Sequence, residues 1–281
     1  MQKMMKRVLA AILGQLVLTI VFCGASVLSS CSNDDNALEP QEYTGVPLII
    51  YDTDIGSSTD DLFALEMLYR YEDEGRCRLL VTQPDHSVSI VSEGFVTCLA
   101  QLLASGADEY SSLSGVELVR RKVKCIYLQG GVFGEAEEPD FNFAQGITFA
   151  KTFFQNWPQE VDMVFSPMEA GQDVEYTPEQ VIADVSWTDA HPIKQVYMQC
   201  DCNTGQRMWD VMPVVQAVEG DALFSLSGRG TVTFTDKAQT IFAPSVTGNC
   251  RYQLPGTKEW AAQMLEKIRR ANKIYSSLLD K

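Results

Sequence analysis

The sequence predicts an α/β protein: an open, mostly parallel sheet flanked by helices, with a small C-terminal antiparallel appendage. Three observations predict it. A short apolar strand at 48–51 runs into an acidic loop and then into a helical pattern with Leu62, Leu65, Met67, Leu68 and Tyr69 on its apolar face. Further apolar strands then alternate with helical stretches, as in a sheet with helical crossovers. Late in the chain, residues 224–227, 230–234 and 240–242 form a run of short strand-like segments with no helix between them.

Taken in order, a polar turn at 72–75 follows the first helix, and 77–81 reads as a second strand. Residues 82–86 form a loop and 87–92 alternate as a strand. Residues 94–103 turn into a helix. The strand at 123–129 ends in Gly130-Gly131, where backbone can approach a ligand or turn tightly. A helix is expected over 144–157, a strand over 161–165, a helix from Arg207 and a closing amphipathic helix over 259–279.

The first 30 residues read as an address. Lys3, Lys6 and Arg7 precede an apolar run at 8–27, and Leu28-Ser-Ser-Cys31 resembles a bacterial lipobox, with Cys31 as the lipidated residue. Residues 31–45 are an acidic tether and 46–281 the folded domain. The expected location is the bacterial envelope, periplasmic or at the cell surface, with the membrane reached only through the lipid. The chain has 22 basic and 37 acidic residues. Removing the leader's three basic residues leaves 19 − 37 = −18. Such a surface argues against nucleic-acid polymers, which need a basic footprint. It suits a small neutral ligand or a cation, and association of copies is left open.

Eight cysteines are present. Cys200-Asp-Cys202 lacks a second pair at zinc spacing, and Cys98 and Cys125 lie in apolar contexts that suggest burial. The two histidines, His86 and His191, fall in loops and give a histidine-based triad little to work with.

The chemistry concentrates at Asp52, Asp54, Asp60 and Asp61. Asp60 and Asp61 suit a helix N-terminus through its dipole. Asp52 and Asp54, at the strand's end, are not explained that way. Four acids so close together call for a positive partner. Their oxygens are hard donors that favour Ca²⁺ or Mg²⁺ over zinc.

Asp52-Thr-Asp-Ile-Gly-Ser-Ser-Thr-Asp-Asp61 resembles the N-terminal signature of the inosine–uridine-preferring nucleoside hydrolases. That family binds Ca²⁺ there and hydrolyses the N-glycosidic bond of ribonucleosides. Ser58 stands where members with this loop length usually carry an acid. Gly94-Phe-Val-Thr-Cys-Leu-Ala100 resembles the family's Gly-x-x-Thr-Asn-Leu-Ala segment, Asp140-Phe-Asn142 its Glu-Phe-Asn element, Ser166-Pro-Met-Glu-Ala-Gly171 a loop of one branch, and Trp209-Asp210 its late His-Asp or Trp-Asp pair.

The resemblance implies a nucleoside-hydrolase-like fold and a Ca²⁺ held by Asp54, Asp61, the Thr97 carbonyl and Asp210. It implies Asp54 as general base, Asp60, Asp140, Asn142 and Glu169 around a nucleoside or related riboside, and Asp52 as a brace. Trp209 stands where many members carry a histidine that protonates the leaving base. Only about 15 residues, 75–90, fill a stretch that is long in the family, which removes part of the base-recognition wall. Gln83 and Asp85 are candidates to approach the vacant position.

Two other readings stay open at this point. One is a degenerate surface lipoprotein that binds Ca²⁺ and a ribosyl group without turnover. The other is a haloacid-dehalogenase-like phosphatase on Asp52-Thr-Asp54, which Lys122-Val-Lys124 serves poorly.

Overall fold

The computed structural model describes residues 46–54, 59–79, 85–108, 111–134, 138–199 and 205–273. The leader, the tether, Cys31, Ser58, Gln83, Cys200, Cys202 and the end of the expected closing helix lie outside the described residues.

The strands are β1 (Leu48–Asp52), β2 (Arg78–Leu79), β3 (Val88–Ser92), β4 (Val123–Gln129), β5 (Asp162–Ser166), β6 (Glu175–Tyr176), β7 (Gln206–Arg207), β8 (Gly230–Phe234), β9 (Thr240–Pro244) and β10 (Cys250–Tyr252). Eight of them form one sheet in the order β2-β1-β3-β4-β5-β10-β8-β9, and β6 and β7 form a separate antiparallel pair. From β2 to β10 every neighbour is parallel. β8 and β9 then add antiparallel strands. The expected appendage is therefore an extension of the main sheet, joined through β10. Residues 224–227 contribute only an isolated bridge between Leu226 and Gln253.

The helices among the described residues are α1 (Asp60–Asp73), α2 (Thr97–Ala104), α3 (Gly115–Lys122), α4 (Phe141–Ala144), α5 (Ile147–Asn156), α6 (Met168–Gly171), α7 (Pro178–Asp184), α8 (Pro192–Gln199), α9 (Val211–Glu219) and α10 (Lys258–Lys273). Reciprocal capping boxes start two of them. Ser114 and Glu117 form a reciprocal capping box at α3, and Thr177 and Gln180 form one at α7, where Pro178 takes the first helical position.

β3 is buried along its whole length, as a parallel strand covered on both faces must be. Its alternating side chains serve two cores. Val91 joins a cluster with Phe63, Leu68, Met208 and Met212 from the side of α1 and α9. Ile90 joins one with Leu99, Leu103, Ile126, Phe153 and Phe165 from the side of α2 and α5.

The sheet reverses its direction of growth between β1 and β3. In open α/β sheets the crevice beyond the carboxyl ends at such a point is where ligands bind. Asp85 lies at the other end. It pairs with Arg121 at 2.8 Å and Lys122 at 2.7 Å, and His86 N–H donates to the Arg121 carbonyl at 2.9 Å. These residues precede β3 and β4, so Asp85 does not approach the pocket end of the sheet. Cys98 also departs from expectation. It is the second residue of α2 and its thiol is exposed, whereas Cys77, Cys125 and Cys250 are buried; all four are free thiols.

Candidate active site

The end of β1 delivers Asp52 and Asp54, the start of α1 delivers Asp60 and Asp61, and the residue just beyond β3 is Glu93. Asp210 immediately precedes α9 and spends no side-chain hydrogen bond on capping it. Oxygens of Asp61, Glu93 and Asp210 all lie within 4.8 Å of one another. The three residues are 0%, 1% and 6% exposed. Asp54 stands beside this cluster against Gly94, where an added Cβ would lie 2.8 Å from the Asp54 Cβ.

Most of the other contacts tie the cluster together. Asp60 accepts from Gln206 Nε2 at 3.1 Å and from the Asp210 backbone N–H at 3.3 Å. It thereby joins the start of α1 to the approach to α9. The Thr53 hydroxyl donates to Asp61 Oδ1. Asp52 accepts from Ser92 Oγ at 3.1 Å, and its carbonyl accepts the Glu93 N–H at 2.8 Å. The Tyr51 hydroxyl lies 2.5 Å from Glu93 Oε2, to which it donates, and 3.1 Å from the Asp61 carbonyl.

These acids strain one another electrostatically. Burial pushes the Glu93 carboxyl well up, helped by the Asp61, Asp60 and Asp54 charges. Burial also raises Asp210 strongly, with the Asp60, Glu93, Asp61 and Asp54 charges adding to it. Asp52 is raised mainly by burial. The donor set is all oxygen, and two of its atoms, Asp54 Oδ2 and Glu93 Oε1, are enclosed without a hydrogen-bond partner among the described residues. Buried anionic oxygens left in this way fit a hard divalent cation. Glu93 escaped sequence reasoning because a lone glutamate before a glycine reads as a solvated turn. The available signal was its place directly after a wholly buried strand.

Thr97 is the first residue of α2, and its N–H donates to the Phe95 carbonyl at 2.6 Å. The residues expected around a sugar are largely committed within the protein. Asp140 Oδ1 accepts the Phe143 N–H at 2.9 Å and Oδ2 the Gly131 N–H at 2.8 Å. Burial raises its carboxyl to about 6. Asn142 Nδ2 donates to Gln129 Oε1 at 2.5 Å and to the Glu93 carbonyl at 3.3 Å. Glu169 Oε1 accepts the Gly134 N–H at 3.1 Å, while its Oε2 is enclosed without a partner. Trp209 Nε1 donates to the Met168 carbonyl at 3.0 Å, and the Arg207 guanidinium lies 5.6 Å from the centre of its ring.

No family model matches the chain, and neither does any curated protein. Solved structures do match. An inosine–uridine-preferring nucleoside hydrolase from Bacillus anthracis aligns with a TM-score of 0.54 at 12% identity, over 81% of this chain and 99% of that one. The effector protein XOO4466 aligns with a TM-score of 0.50 at 14% identity, over 82% and 94%. The chain thus has a nucleoside-hydrolase-like α/β fold, with a buried acidic cluster at the carboxyl ends of its central strands.

Proposed function

We propose that this protein hydrolyses the N-glycosidic bond of a ribonucleoside or related riboside, using a Ca²⁺ held at the acidic cluster. The observation that carries the reading is the set of three converging buried carboxylates at the switch point of this fold, with an oxygen of Glu93 within it and one of Asp54 beside it unpartnered among the described residues. Asp54, Asp61 and Asp210 would hold the ion, together with the Thr97 carbonyl. When bound, the ion supplies a grip on the ribose diol and an acidified water.

The remaining chemistry falls to the protein. Cleavage passes through an oxocarbenium-like sugar. Asp54 takes a proton from the attacking water as the bond to C1′ forms and the bond to the base nitrogen breaks. Asp60 keeps the start of α1 and the approach to α9 together and meets a ribose hydroxyl, and Glu169 meets the sugar through its open oxygen. Asp140 and Asn142 act through position: one holds the Gly131 backbone and the other braces Glu93. The leaving base takes its proton from solvent, because the Trp209 N–H is engaged by Met168.

The commitment of Asp140 and Asn142 also supports a second reading, a protein that binds Ca²⁺ and a ribosyl group without turnover. Ribose release from a panel of nucleosides, with and without Ca²⁺ and beside Asp54→Ala, separates the two. Ca²⁺-dependent release that is lost in Asp54→Ala supports hydrolysis. A melting temperature raised by Ca²⁺ without any release supports binding alone. We place the protein at the bacterial envelope through a lipid on Cys31; no helix of the described residues is long and apolar enough to cross a membrane.

A further inference from the structure

Resting on that reading of the site, we propose that Glu93 is itself a ligand of the cation, through the carboxylate oxygen that has no hydrogen-bond partner among the described residues, and that Tyr51 and Asn142 position it. Glu93 sits at the first position after β3, on the side facing β1, and is 1% exposed. A buried carboxylate is costly unless something positive or several donors meet it. Among the described residues no lysine, arginine or histidine forms an ion pair with Glu93. Its side chain has one hydrogen bond, from the Tyr51 hydroxyl to Oε2 at 2.5 Å. Oε1 is enclosed with no hydrogen bond among the described residues. The acids that converge on it, Asp61 and Asp210, and the neighbouring Asp60 and Asp54 are all of the same charge.

The surroundings hold Glu93 in place. Its N–H is fixed to the Asp52 carbonyl at 2.8 Å, and its own carbonyl accepts Asn142 Nδ2 at 3.3 Å. The Tyr51 hydroxyl lies between Glu93 Oε2 and the Asp61 carbonyl. One phenol thus relates two of the clustered acids, while Oε1 of Glu93 stays enclosed and takes no part in that contact. Such a supporting frame is typical of metal ligands, where the groups behind a ligand decide where it points. It also revises the part played by Asn142, whose amide serves the ion through Glu93. Adding Glu93 to Asp54, Asp61 and Asp210 makes four carboxylates. A donor set of this kind favours Ca²⁺, which accepts many oxygen ligands in a flexible arrangement, over zinc.

The test uses the purified protein, with Ca²⁺ affinity measured by calorimetry and by displacement of luminescent Tb³⁺. It compares Glu93→Gln, Tyr51→Phe and, as a reference, Asp61→Asn. Glu93→Gln keeps the shape and removes the charge. It is expected to weaken Ca²⁺ binding by roughly 100-fold without lowering the melting temperature of the metal-free protein. Tyr51→Phe is expected to weaken binding about tenfold, the usual effect of removing a group behind a ligand. It keeps the question answerable if Glu93→Gln fails to fold.

Ca²⁺ affinity unchanged in Glu93→Gln, with Asp61→Asn impaired, overturns the ligand role and leaves the proposed function standing. Unchanged affinity combined with a lowered metal-free melting temperature also overturns it and makes Glu93 a structural residue. Folded Tyr51→Phe with wild-type affinity overturns the positioning role. Absence of Ca²⁺ and Tb³⁺ binding in the wild-type protein removes the proposed function itself.

Discussion

Gly94→Ala tests whether the pocket end of the sheet is built as tightly as its geometry indicates. A Cβ at position 94 would lie 2.8 Å from the Asp54 Cβ, 2.8 Å from its backbone nitrogen and 2.9 Å from its Cγ. Ordinary contact begins at about 3.4 Å, so the two segments must part by roughly 0.6 Å, and backbone has to move. Overpacking of this kind costs about 1–3 kcal/mol. For a domain of this size that is a fall of roughly 2–12 °C in melting temperature. In the proposed mechanism the displaced residue, Asp54, is both the base and a ligand of the ion. A displacement of about 1 Å can cost 10²-fold in rate, so about tenfold is expected here, in Ca²⁺ affinity and in ribose release together. Gly106→Ala is the matched control, since a Cβ there meets nothing within 4 Å. Melting curves and Ca²⁺ titrations of the two variants side by side decide the matter. If Gly94→Ala behaves like Gly106→Ala in both, the close packing of Asp54 against Gly94 is not what holds the loop.

Three further outcomes are expected. Asp140 has its folded pKa raised to about 6 from 3.8, so its contribution to stability is complete below about pH 4 and is lost as pH rises through 6. That change is roughly 3 kcal/mol, and Asp140→Asn should lack it, so the stability curves of the two proteins over pH 4–7.5 should diverge; parallel curves would refute the assignment. Trp209→Phe removes the hydrogen bond to the Met168 carbonyl, costing about 1 kcal/mol, and should leave ribose release within a few-fold; a collapse in kcat with unchanged folding would make the indole a proton donor after all. Cys31→Ser should shift the protein from the membrane fraction of a bacterial host to the soluble one, and retention in the membrane would sink the lipid anchor.

The parts of this architecture that were legible in the sequence are those with short-range signals. β1 and α1 could be read because an apolar run, an acid cluster and a helical period follow one another within about 25 residues. The join of β8 and β9 to the main sheet was not legible, because it depends on β10 pairing with both β5 and β8 across long stretches of chain. Asp140 was read as facing a ligand, since acid-loop composition does not reveal that Gly131 and Phe143 present two N–H groups to it. Asp85 was misplaced for a similar reason: which end of the sheet a loop occupies follows from topology, and its partners Arg121 and Lys122 lie at the end of a different helix. Cys98 went wrong by periodicity, because an apolar neighbourhood in sequence does not tell which side of α2 faces water.

The hairpin of β8 and β9 holds the loop after β4 from outside. The Asp140 N–H donates to the Ala238 carbonyl at 2.9 Å, and the Val132 N–H donates to Thr240 Oγ1 at 3.0 Å. The carboxylate centre, by contrast, hangs on β1, β3 and the starts of α1 and α9. The two scaffolds are joined through Asn142, two residues on from Asp140, whose amide donates to the Glu93 carbonyl. Changes in the hairpin that leave Asn142 in place can reshape the loop after β4 while Asp61, Glu93 and Asp210 keep their own supports. On the proposed function, an engineer seeking altered selectivity should begin with the turn at Ala238, which lies away from the charged centre in the chain of contacts.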